Sequence, residues 1–591
     1  MFALDNNLNG GNLPSGTLRE GFAYSSLLMP GNLSTATASP QQFAKRTRHF
    51  LWKCRRTPVR VWQCSMFNAH CPMIESMSLY LIALISGILM GLASAPTSAW
   101  YFAWFALTPL WILLRQQKSW QTSTTLAFAW GLGYHGLALF WITGVHPMTW
   151  MGVPWLASLA IAIFCWIAIT LWGTGVVVSW SLLLKLVSRL IHKQTLMASL
   201  TRVMAGVALW CVLETLWSHT PLWWSTIAYT QSPSNLIILQ LTKLSGVHTV
   251  TALIVSVNCF LGEAILGWRS AFKKQWKISL YLLPLILLIA GHLTGYYLYQ
   301  VPIESNNLAP FKVGIIQGNI PNEIKLFSAG WRKAIAGYTS GYQRLARQGA
   351  DVVLTPETAL PFYWEDILDN SSFYQAVQQE QVPVWVGANG RDGNSYTNSI
   401  FTLTGAGETY SRYDKFKLVP LGEYIPLGSV LGNLIDRLSP LEAHLAAGNS
   451  EQIFETPFGQ AIIAICYESA FPQHFLRQAQ AGGEFIITAA NNAHYSSTMP
   501  AQHHALDVIR AIESDRWAAR ATNTGYSAIV DPHGNTLWIS TLDRYAIHQE
   551  TIYRRQNLTL YVRWGDWLTK LLVILTGGLL LINGSWGRKI G

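Results

Sequence analysis

Charged residues are scarce in this chain. Asp, Glu, Lys and Arg make up 12% of its 591 residues, which is about half of the charged fraction of an ordinary soluble protein. Half of the residues are apolar and 27 are tryptophan, so the composition predicts a membrane protein with a sizeable soluble part. The net charge of +11 does not indicate nucleic-acid binding, because the basic residues lie in the first 60 positions and in short loops beside apolar runs.

Cysteine is also scarce, and Cys466 is the only one in the polar part of the chain. That part therefore has no thiol partner for a disulfide. The adjacent His503 and His504 have no Cys or carboxylate at ligand spacing. No phosphate-binding glycine loop is present, so we expect neither a metal nor a cofactor. The other six cysteines lie in the N-terminal tail or in apolar segments: Cys54, Cys64, Cys71, Cys165, Cys211 and Cys259.

The N-terminal residues do not have the pattern of a folded core. They are rich in Asn, Gly, Ser and Pro and then in basic residues, so we expect residues 1–75 to be a disordered basic extension. The opening residues lack the apolar segment and cleavage site of a signal peptide, so we do not expect them to act as one. Met73 and Met77 stand just before the first apolar run, and we expect the working protein to begin near them.

Apolar runs of membrane-spanning length, about 20 residues each, predict about eight transmembrane helices. We therefore expect a membrane block of about seven helices at 76–300, and a C-terminal transmembrane helix with a short tail at 556–591. The predicted spans lie near 78–95, 99–114, 122–143, 154–187, 201–218, 248–267, 278–299 and 567–584.

Lys and Arg occur only in alternate loops between these spans. Basic loops remain in the cytoplasm, so the pattern predicts that both termini are cytoplasmic and that the polar region 300–566 lies outside the cytoplasm. The basic residues that follow the second, fourth, sixth and last spans are Arg115, Lys118, Lys185, Arg189, Lys193, Arg269, Lys273, Lys274, Lys277, Arg588 and Lys589.

Residues 305–555 differ in character from the rest. Short β-branched runs, such as 351–354 and 461–465, alternate with helical patterns at 331–348 and 502–519. This alternation is typical of an α/β domain with buried sheets, and the region is long enough to form one large core.

Three side chains of different chemistry each lie at the end of a predicted strand in this region. Glu357 follows the run at 351–354, Lys415 follows a predicted hairpin, and Cys466 ends the run at 461–465. A thiol can act as a nucleophile, a carboxylate can accept its proton, and an ammonium can stabilise the resulting oxyanion. Each also has an ordinary structural alternative: a helix-capping carboxylate, a solvent-exposed lysine and a buried cysteine. Spacing alone leaves these alternatives open.

Longer motifs around these residues resemble the bacterial apolipoprotein N-acyltransferases, a branch of the nitrilase superfamily. The resemblance covers residues 78–584 and implies a multi-span helical block plus an extracytoplasmic nitrilase-like (carbon-nitrogen hydrolase) domain at 305–555, folded as an α-β-β-α sandwich. The motifs are QGNIP at 317–321, TPETALP at 355–361, YDKFKLVPLGEYIP at 413–426, CYES at 466–469, RATNTG at 520–525 and YVRWGDW at 561–567.

The resemblance implies a role for each residue of the three-residue set. Glu357 matches the general base, Lys415 the oxyanion-stabilising cation and Cys466 the nucleophile. Glu423 matches a further carboxylate that is essential in the family, and it is expected to position Lys415 or the incoming amine.

Other matched positions lie beside the nucleophile or in its surroundings. Tyr467 and Glu468 match residues next to the family's nucleophile, and Glu468 has the structural alternative of a helix-starting carboxylate. The family usually has Asn-Asp-Ala-Trp-Phe where this chain has NNAHY at 491–495, so Asn491 and His494 are expected to line a substrate pocket of altered preference.

Trp223 and Trp224 lie in an outer loop of the membrane block. They are expected to form part of an aromatic belt at the membrane interface, or a surface through which lipid reaches the active site.

The implied reaction is a two-step acyl transfer in the bacterial inner membrane, with the catalytic domain on the periplasmic side. Cys466 takes an acyl chain from a phospholipid as a thioester, and the α-amino group of an apolipoprotein's diacylglyceryl-cysteine then accepts it. The expected partners are these two substrates and the bilayer, with the enzyme a monomer. The alternatives are a membrane-tethered amidase or acyltransferase that uses another amine, and a non-catalytic relative that binds lipoproteins.

Overall fold

The computed structural model describes residues 71–191, 195–268, 274–304, 307–393, 395–420, 422–424 and 445–588. Most of the predicted disordered extension therefore lies outside the described residues. Its last five positions, 71–75, are helical instead, because they form the start of the first helix.

Long apolar helices dominate the first part of the described chain. Four of them are long and apolar enough to cross a membrane, namely Trp155–Ser188, Leu196–Ser218, Val247–Trp268 and Ile278–Tyr299. The helices are α1 (Cys71–Leu92), α2 (Thr108–Gln116), α3 (Trp120–Ala138), α4 (Trp155–Ser188), α5 (Leu196–Ser218), α6 (Leu236–Leu239), α7 (Thr242–Ser245), α8 (Val247–Trp268) and α9 (Lys274–Tyr299).

The span predicted at 99–114 is not one helix. A 3-10 helix at Trp100–Trp104 is followed by a break and then by α2. The side-chain oxygen of Asn258, on α8, accepts hydrogen bonds from the N–H groups of Leu107 and Thr108 at 2.9 and 3.0 Å. This buried amide satisfies backbone donors at the start of α2 that have no partner within the helix, and so stabilises the break.

Two six-stranded sheets form the α/β region, with strand orders β12-β1-β2-β3-β4-β5 and β11-β10-β9-β8-β7-β6. The central strands of each sheet are parallel, and antiparallel strands flank them. The strands are β1 (Asn307–Gln317), β2 (Val352–Leu354), β3 (Val384–Asp392), β4 (Ser395–Leu403), β5 (Thr409–Asp414), β6 (Phe454–Thr456), β7 (Gly459–Ile465), β8 (Phe485–Ala490), β9 (Ala518–Thr522), β10 (Ala528–Val530), β11 (Thr536–Ile539) and β12 (Ala546–Arg555).

The two sheets pack face to face through one apolar core. Val313 and Ile315 of the first sheet share it with Ile463 and Ile487 of the second, and each is completely buried. The opposite faces are covered by helices, which gives the predicted α-β-β-α layers. The helices of this region are α10 (Asn322–Lys325), α11 (Ser328–Arg347), α12 (Trp364–Asn370), α13 (Ser372–Glu380), α14 (Pro472–Gln480) and α15 (Thr498–Ser514).

The second sheet also packs toward the membrane block. Ile462 and Ile486 belong to the same buried cluster as Trp130 and Trp210 of the long helices. The chain then continues into α16 (Leu560–Trp564) and α17 (Trp567–Arg588). Asn583 of α17 donates to the Thr201 hydroxyl of α5 at 2.7 Å, so the last helix joins the block formed by the first part of the chain.

The helix predicted at 502–519 is wrong at its C-terminal end. Helix α15 stops at Ser514, and Asp515 adopts the left-handed conformation with a φ of 56°, which is common just after a helix. Residues Ala518–Thr522 form β9 and pair with both β8 and β10. Alanine favours helices, but complete burial between two strands decides the structure here.

Candidate active site

The predicted nucleophile lies at a strained turn. Strand β7 ends at Ile465, and a 3-10 helix begins at Cys466. Cys466 has a φ of 53°, a conformation that costs a non-glycine residue about 1 kcal/mol or more. The carbonyl oxygen of Cys466 accepts a hydrogen bond of 2.8 Å from Nε2 of His503, on α15. Burial lowers the pKa of His503 to about 3, so this neutral imidazole holds the turn in place.

The loop that carries Glu357 lies tightly against strand β3. The Leu360 N–H donates to the carbonyl oxygen of Gly387 at 3.0 Å. A Cβ atom on Gly387 would come within 2.0 Å of the Pro356 carbonyl oxygen, so this position requires glycine. The close approach fixes the backbone on both sides of Glu357, whose side chain is 8% exposed.

Lys415 joins two carboxylates. Its ammonium nitrogen lies 3.1 Å from Oε1 of Glu357 and 2.7 Å from Oε1 of Glu423, and the lysine side chain is 1% exposed. Asn398 of β4 donates to Glu357 at 2.7 Å, and the Asn491 N–H donates to its other oxygen at 2.8 Å. Besides their bond to each other, three partners from different parts of the chain, Glu423, Asn398 and Asn491, therefore hold the predicted base and cation in one geometry.

Glu423 is fixed at both of its oxygens, since its Oε2 accepts from the Val419 N–H at 2.7 Å. Burial raises the pKa of Glu423, and the charge of Lys415 opposes this effect. Because Lys415 makes two recorded bonds and an ammonium has three N–H groups, one N–H remains without a recorded partner among the described residues. That group can donate to an oxyanion.

The charges determine which groups are ionised. Burial favours the neutral form of Glu357, but Lys415 and then Lys325 hold its pKa below the usual value. Burial also opposes the charge of Lys415, yet Glu357 and Glu423 raise its pKa well above the usual value. Glu357 is therefore anionic and Lys415 cationic at neutral pH.

The thiol of Cys466 remains protonated at neutral pH. Burial, followed by the negative charge of Glu357, raises its pKa to about 12. Transfer of the thiol proton to Glu357 removes that repulsion and leaves the attraction of Lys415. The same carboxylate that suppresses the free thiolate can thus activate it during nucleophilic attack.

Glu468 connects the nucleophile turn to the loop of Lys415. Its Oε1 accepts from the N–H groups of Phe416 and Lys417 at 2.8 and 3.1 Å, and its Oε2 accepts from the Ile465 N–H at 2.7 Å. The Tyr413 hydroxyl donates to both oxygens at 2.9 Å. The bond to Ile465 fits the helix-starting alternative, and the remaining bonds join two strand ends that carry predicted catalytic groups.

Tyr467 joins the nucleophile turn to the membrane block. Its hydroxyl donates to the carbonyl oxygens of Pro221 and Trp223 at 2.6 and 2.8 Å, and its ring stacks on Trp224. Trp223 and Trp224 are only 4% and 6% exposed. The expectation of an aromatic belt at the membrane interface is therefore wrong for these two residues, because they pack between the helices and the α/β region.

Asn491 and His494 also lie at the site. Besides its N–H bond to Glu357, Asn491 accepts from Asn523 at 3.0 Å. His494 is hydrogen-bonded to Asn322 and stacks on Trp150, in the connection between α3 and α4. Burial lowers the pKa of His494 to about 4, so it is neutral at physiological pH.

Two site residues were missed as functional candidates in the sequence. Asn398 lies in the middle of β4, where an inward-facing amide has no distinguishing pattern. Lys325 is buried, with 5% of its surface exposed, and its ammonium donates to the Glu357 carbonyl oxygen at 3.3 Å. Burial lowers the pKa of Lys325 to about 8, so it supplies a second positive charge near the base. Within the described ranges, no three His, Cys, Asp or Glu residues are grouped to hold a metal ion.

Comparisons with known proteins match both parts of the chain. The family model of the apolipoprotein N-acyltransferase N-terminal domain matches residues 86–260, and the carbon-nitrogen hydrolase model matches residues 312–547. Apolipoprotein N-acyltransferase from Nostoc sp. is 54% identical over 492 residues, which are 82% of this chain and 96% of the relative. The enzyme of the same name from Synechocystis sp. is 52% identical over 505 residues, 82% of this chain and 97% of the relative.

Solved structures are similar to part of this chain. An amidase from Nesterenkonia sp. has 16% sequence identity to this chain and a TM-score of 0.33, and the alignment covers 44% of this chain and 95% of the amidase.

Proposed function

Because this chain belongs to the apolipoprotein N-acyltransferase family, we propose that it transfers an acyl chain from a membrane phospholipid to an apolipoprotein. The acyl chain passes through a thioester on Cys466, and the acceptor is the α-amino group of the N-terminal diacylglyceryl-cysteine. The observation that carries this proposal is the buried Glu357–Lys415–Glu423 cluster, whose first two charges both act on the Cys466 thiol.

In the first step, Cys466 attacks the ester carbonyl carbon of the phospholipid while Glu357 takes the thiol proton. The carbonyl oxygen becomes an oxyanion, and the remaining N–H of Lys415 stabilises it. Collapse of this intermediate breaks the bond to the glycerol oxygen, which leaves with the proton from Glu357. The products are the thioester and a lysophospholipid.

In the second step, the acceptor amine attacks the thioester carbonyl carbon, and Lys415 again stabilises the oxyanion. Glu357 takes a proton from the amine, and the sulfur of Cys466 is expelled and protonated. The product is an amide, and the enzyme returns to its starting state. Glu423 keeps the Lys415 ammonium in place through both steps, since it accepts the shorter of the two lysine contacts.

The supporting residues position this machinery. Glu468 fixes the nucleophile turn relative to the Lys415 loop, and Tyr467 fixes the same turn to the membrane block. Asn491 orients Glu357 through its N–H. His494 stacks on Trp150 and shapes the substrate side of the site, whereas Trp223 and Trp224 act through Tyr467, which donates to the Trp223 carbonyl oxygen and stacks on Trp224.

The proposed topology is a multi-pass protein of the bacterial inner membrane with eight spans, a periplasmic catalytic domain and cytoplasmic termini. The alternation of basic and non-basic loops supports it. Large apolar side chains that the protein leaves uncovered also support it, for example Phe164, Leu285 and Ile574 at 66%, 52% and 70% exposure, because lipid tails can cover them.

The test uses the full chain in detergent with phosphatidylethanolamine and a synthetic diacylglyceryl-cysteine peptide. We expect the peptide to gain one acyl chain on its amino group, as measured by mass spectrometry. Cys466→Ser should abolish this product. Cys165→Ser is the matched control, because Cys165 is a free cysteine on α4, and it should retain full activity.

Two other outcomes contradict the proposal in different ways. Release of free fatty acid without peptide acylation indicates a hydrolase of the same superfamily. Absence of both products, in a protein that still binds the peptide, indicates a non-catalytic lipoprotein-binding relative.

A further inference from the structure

A cavity lined by basic side chains lies at the end of the membrane block that is remote from Cys466. Its volume is about 250 Å³, and the end of α2, the start of α3 and the end of α4 form its walls. Four cationic residues line this basic cavity: Arg115, Lys118, Lys185 and Arg189.

Helix α3 separates the basic cavity from the active site. It begins at Trp120, beside the cavity, and ends at Ala138, whose carbonyl oxygen accepts from Gln502 at 2.8 Å. Gln502 precedes His503, the residue that holds the nucleophile turn. The 19 residues of α3 span about 28 Å, close to the thickness of the hydrocarbon core. The basic cavity therefore faces the opposite leaflet from the active site.

Hydrogen bonds to the protein hold the Lys185 ammonium in place. Its ammonium donates to the carbonyl oxygens of Gln117 and Ser119 at 3.1 and 2.7 Å and to the Ser123 hydroxyl at 2.7 Å. All three acceptors are neutral, so the bonds fix the positive charge in the cavity wall without neutralising it. A lysine that served only to orient the chain in the membrane has no need for such fixation.

The other three cations are neutralised only in part. Arg115 is paired with Glu263 at 2.8 Å, and Arg189 lies over the ring of Trp120 at 4.4 Å. For Lys118 and Arg189, no carboxylate partner is recorded in the part of the chain that the structure describes. The lining thus has four positive charges and one recorded negative partner.

We propose that the basic cavity binds the phosphate headgroup of an anionic phospholipid from the leaflet opposite to the active site. Basic pockets between transmembrane helices have the charge that such headgroups require, and the flexible side chains of Lys118 and Arg189 can donate to phosphate oxygens. Leu186 and Leu190, next to two of the cations in sequence, are 49% and 60% exposed. Their apolar surface can contact acyl chains, which favours a lipid over free phosphate.

This site takes no part in the acyl transfer. A lipid bound there is a structural ligand that the catalytic cycle does not consume, since the cavity and Cys466 lie at opposite ends of α3.

The test is native mass spectrometry of the full-length protein in detergent, titrated separately with phosphatidylglycerol, phosphatidylcholine and inorganic phosphate. The variant Lys118→Gln/Arg189→Gln removes the two charges that have no recorded carboxylate partner. The matched control Arg332→Gln/Arg344→Gln removes two exposed charges of α11 in the α/β region. Unchanged acyl transfer by both variants shows that both are folded.

We expect Lys118→Gln/Arg189→Gln to bind phosphatidylglycerol about 30-fold more weakly than the wild type, because it lacks two basic side chains that would lie near the anionic headgroup. The α11 control should bind it as the wild type does, and phosphatidylcholine should not distinguish the three proteins. Equal binding of phosphatidylglycerol by wild type and cavity variant overturns the proposal. Inorganic phosphate bound as tightly as phosphatidylglycerol overturns the assignment to a lipid.

Discussion

Replacement of Glu468 by glutamine tests whether this carboxylate does more than start a helix. The side chain is completely buried, and its oxygens accept from Tyr413, Phe416, Lys417 and Ile465. Glutamine has nearly the same shape, but an amide NH2 group replaces one oxygen, and this group can only donate hydrogen bonds. Whichever way the amide turns, at least one buried donor faces another donor.

The cost follows from these contacts. A buried N–H left without an acceptor costs about 1–3 kcal/mol, and the surviving bonds lose the strength that the negative charge gave them, about 1 kcal/mol more. Glu468→Gln should therefore destabilise the protein by about 2–4 kcal/mol. If the carboxylate only capped a helix, its replacement would destabilise the protein by about 1 kcal/mol. Because the bonds fix the nucleophile turn against the Lys415 loop, the rate of thioester formation should fall about 100-fold.

Two measurements on detergent-solubilised protein check this prediction. Tryptophan fluorescence gives the midpoint of thermal unfolding, and a single-turnover assay with phospholipid gives the rate of thioester formation. Tyr413→Phe is the control, because it removes one hydroxyl and leaves the carboxylate and its backbone partners in place. Tyr413→Phe should destabilise the protein by only about 1 kcal/mol. An unfolding midpoint and a thioester rate that both equal the wild-type values in Glu468→Gln refute the reasoning.

Three further changes have defined outcomes. Lys325→Met removes one of the two cations that lower the pKa of Glu357. The acid limb of the pH–rate profile for thioester formation should therefore move to higher pH. A limb at the wild-type pH contradicts the role of Lys325. Although burial opposes it, the charges of Lys243 and a neighbouring arginine lower the pKa of Asp515 to about 2. The stability from this shift is present above the unfolded-state pKa and is lost as the pH falls toward 2. Asp515→Asn should therefore reduce unfolding stability at neutral pH by at least about 2 kcal/mol, and a loss that stays constant down to the lowest pH opposes this account. Tyr467→Phe removes the hydroxyl that ties the nucleophile turn to the membrane block, and should slow thioester formation about fivefold, the effect of one ordinary hydrogen bond. A wild-type rate of thioester formation in Tyr467→Phe shows that this hydroxyl does not position the nucleophile turn.

The sequence predicts the parts of the site whose residues have a distinctive position. Glu357, Lys415 and Cys466 each follow a strand, and strand ends can be found from β-branched runs and the turns that follow them. The order of the long motifs then identifies the family. The layered α/β architecture follows from the same alternation of strands and helices.

Other features depend on contacts between segments that are distant in sequence. Asn398 lies within a strand, and only the fold places its amide beside Glu357. The break before α2 requires Asn258, about 150 residues further along the chain. Trp223 and Trp224 have the composition of an interfacial belt, but composition does not distinguish tryptophan that faces lipid from tryptophan that packs between two parts of one protein.

The most direct test of the account is the mass of the Cys466 peptide after the protein is incubated with phospholipid and no acceptor. The account predicts a mass gain of one acyl chain on Cys466, removable by hydroxylamine, together with an equal amount of lysophospholipid. Addition of the diacylglyceryl peptide should then discharge it. Lysophospholipid formed without any adduct on Cys466, or an adduct on a different cysteine, contradicts the central claim that this sulfur carries the acyl group.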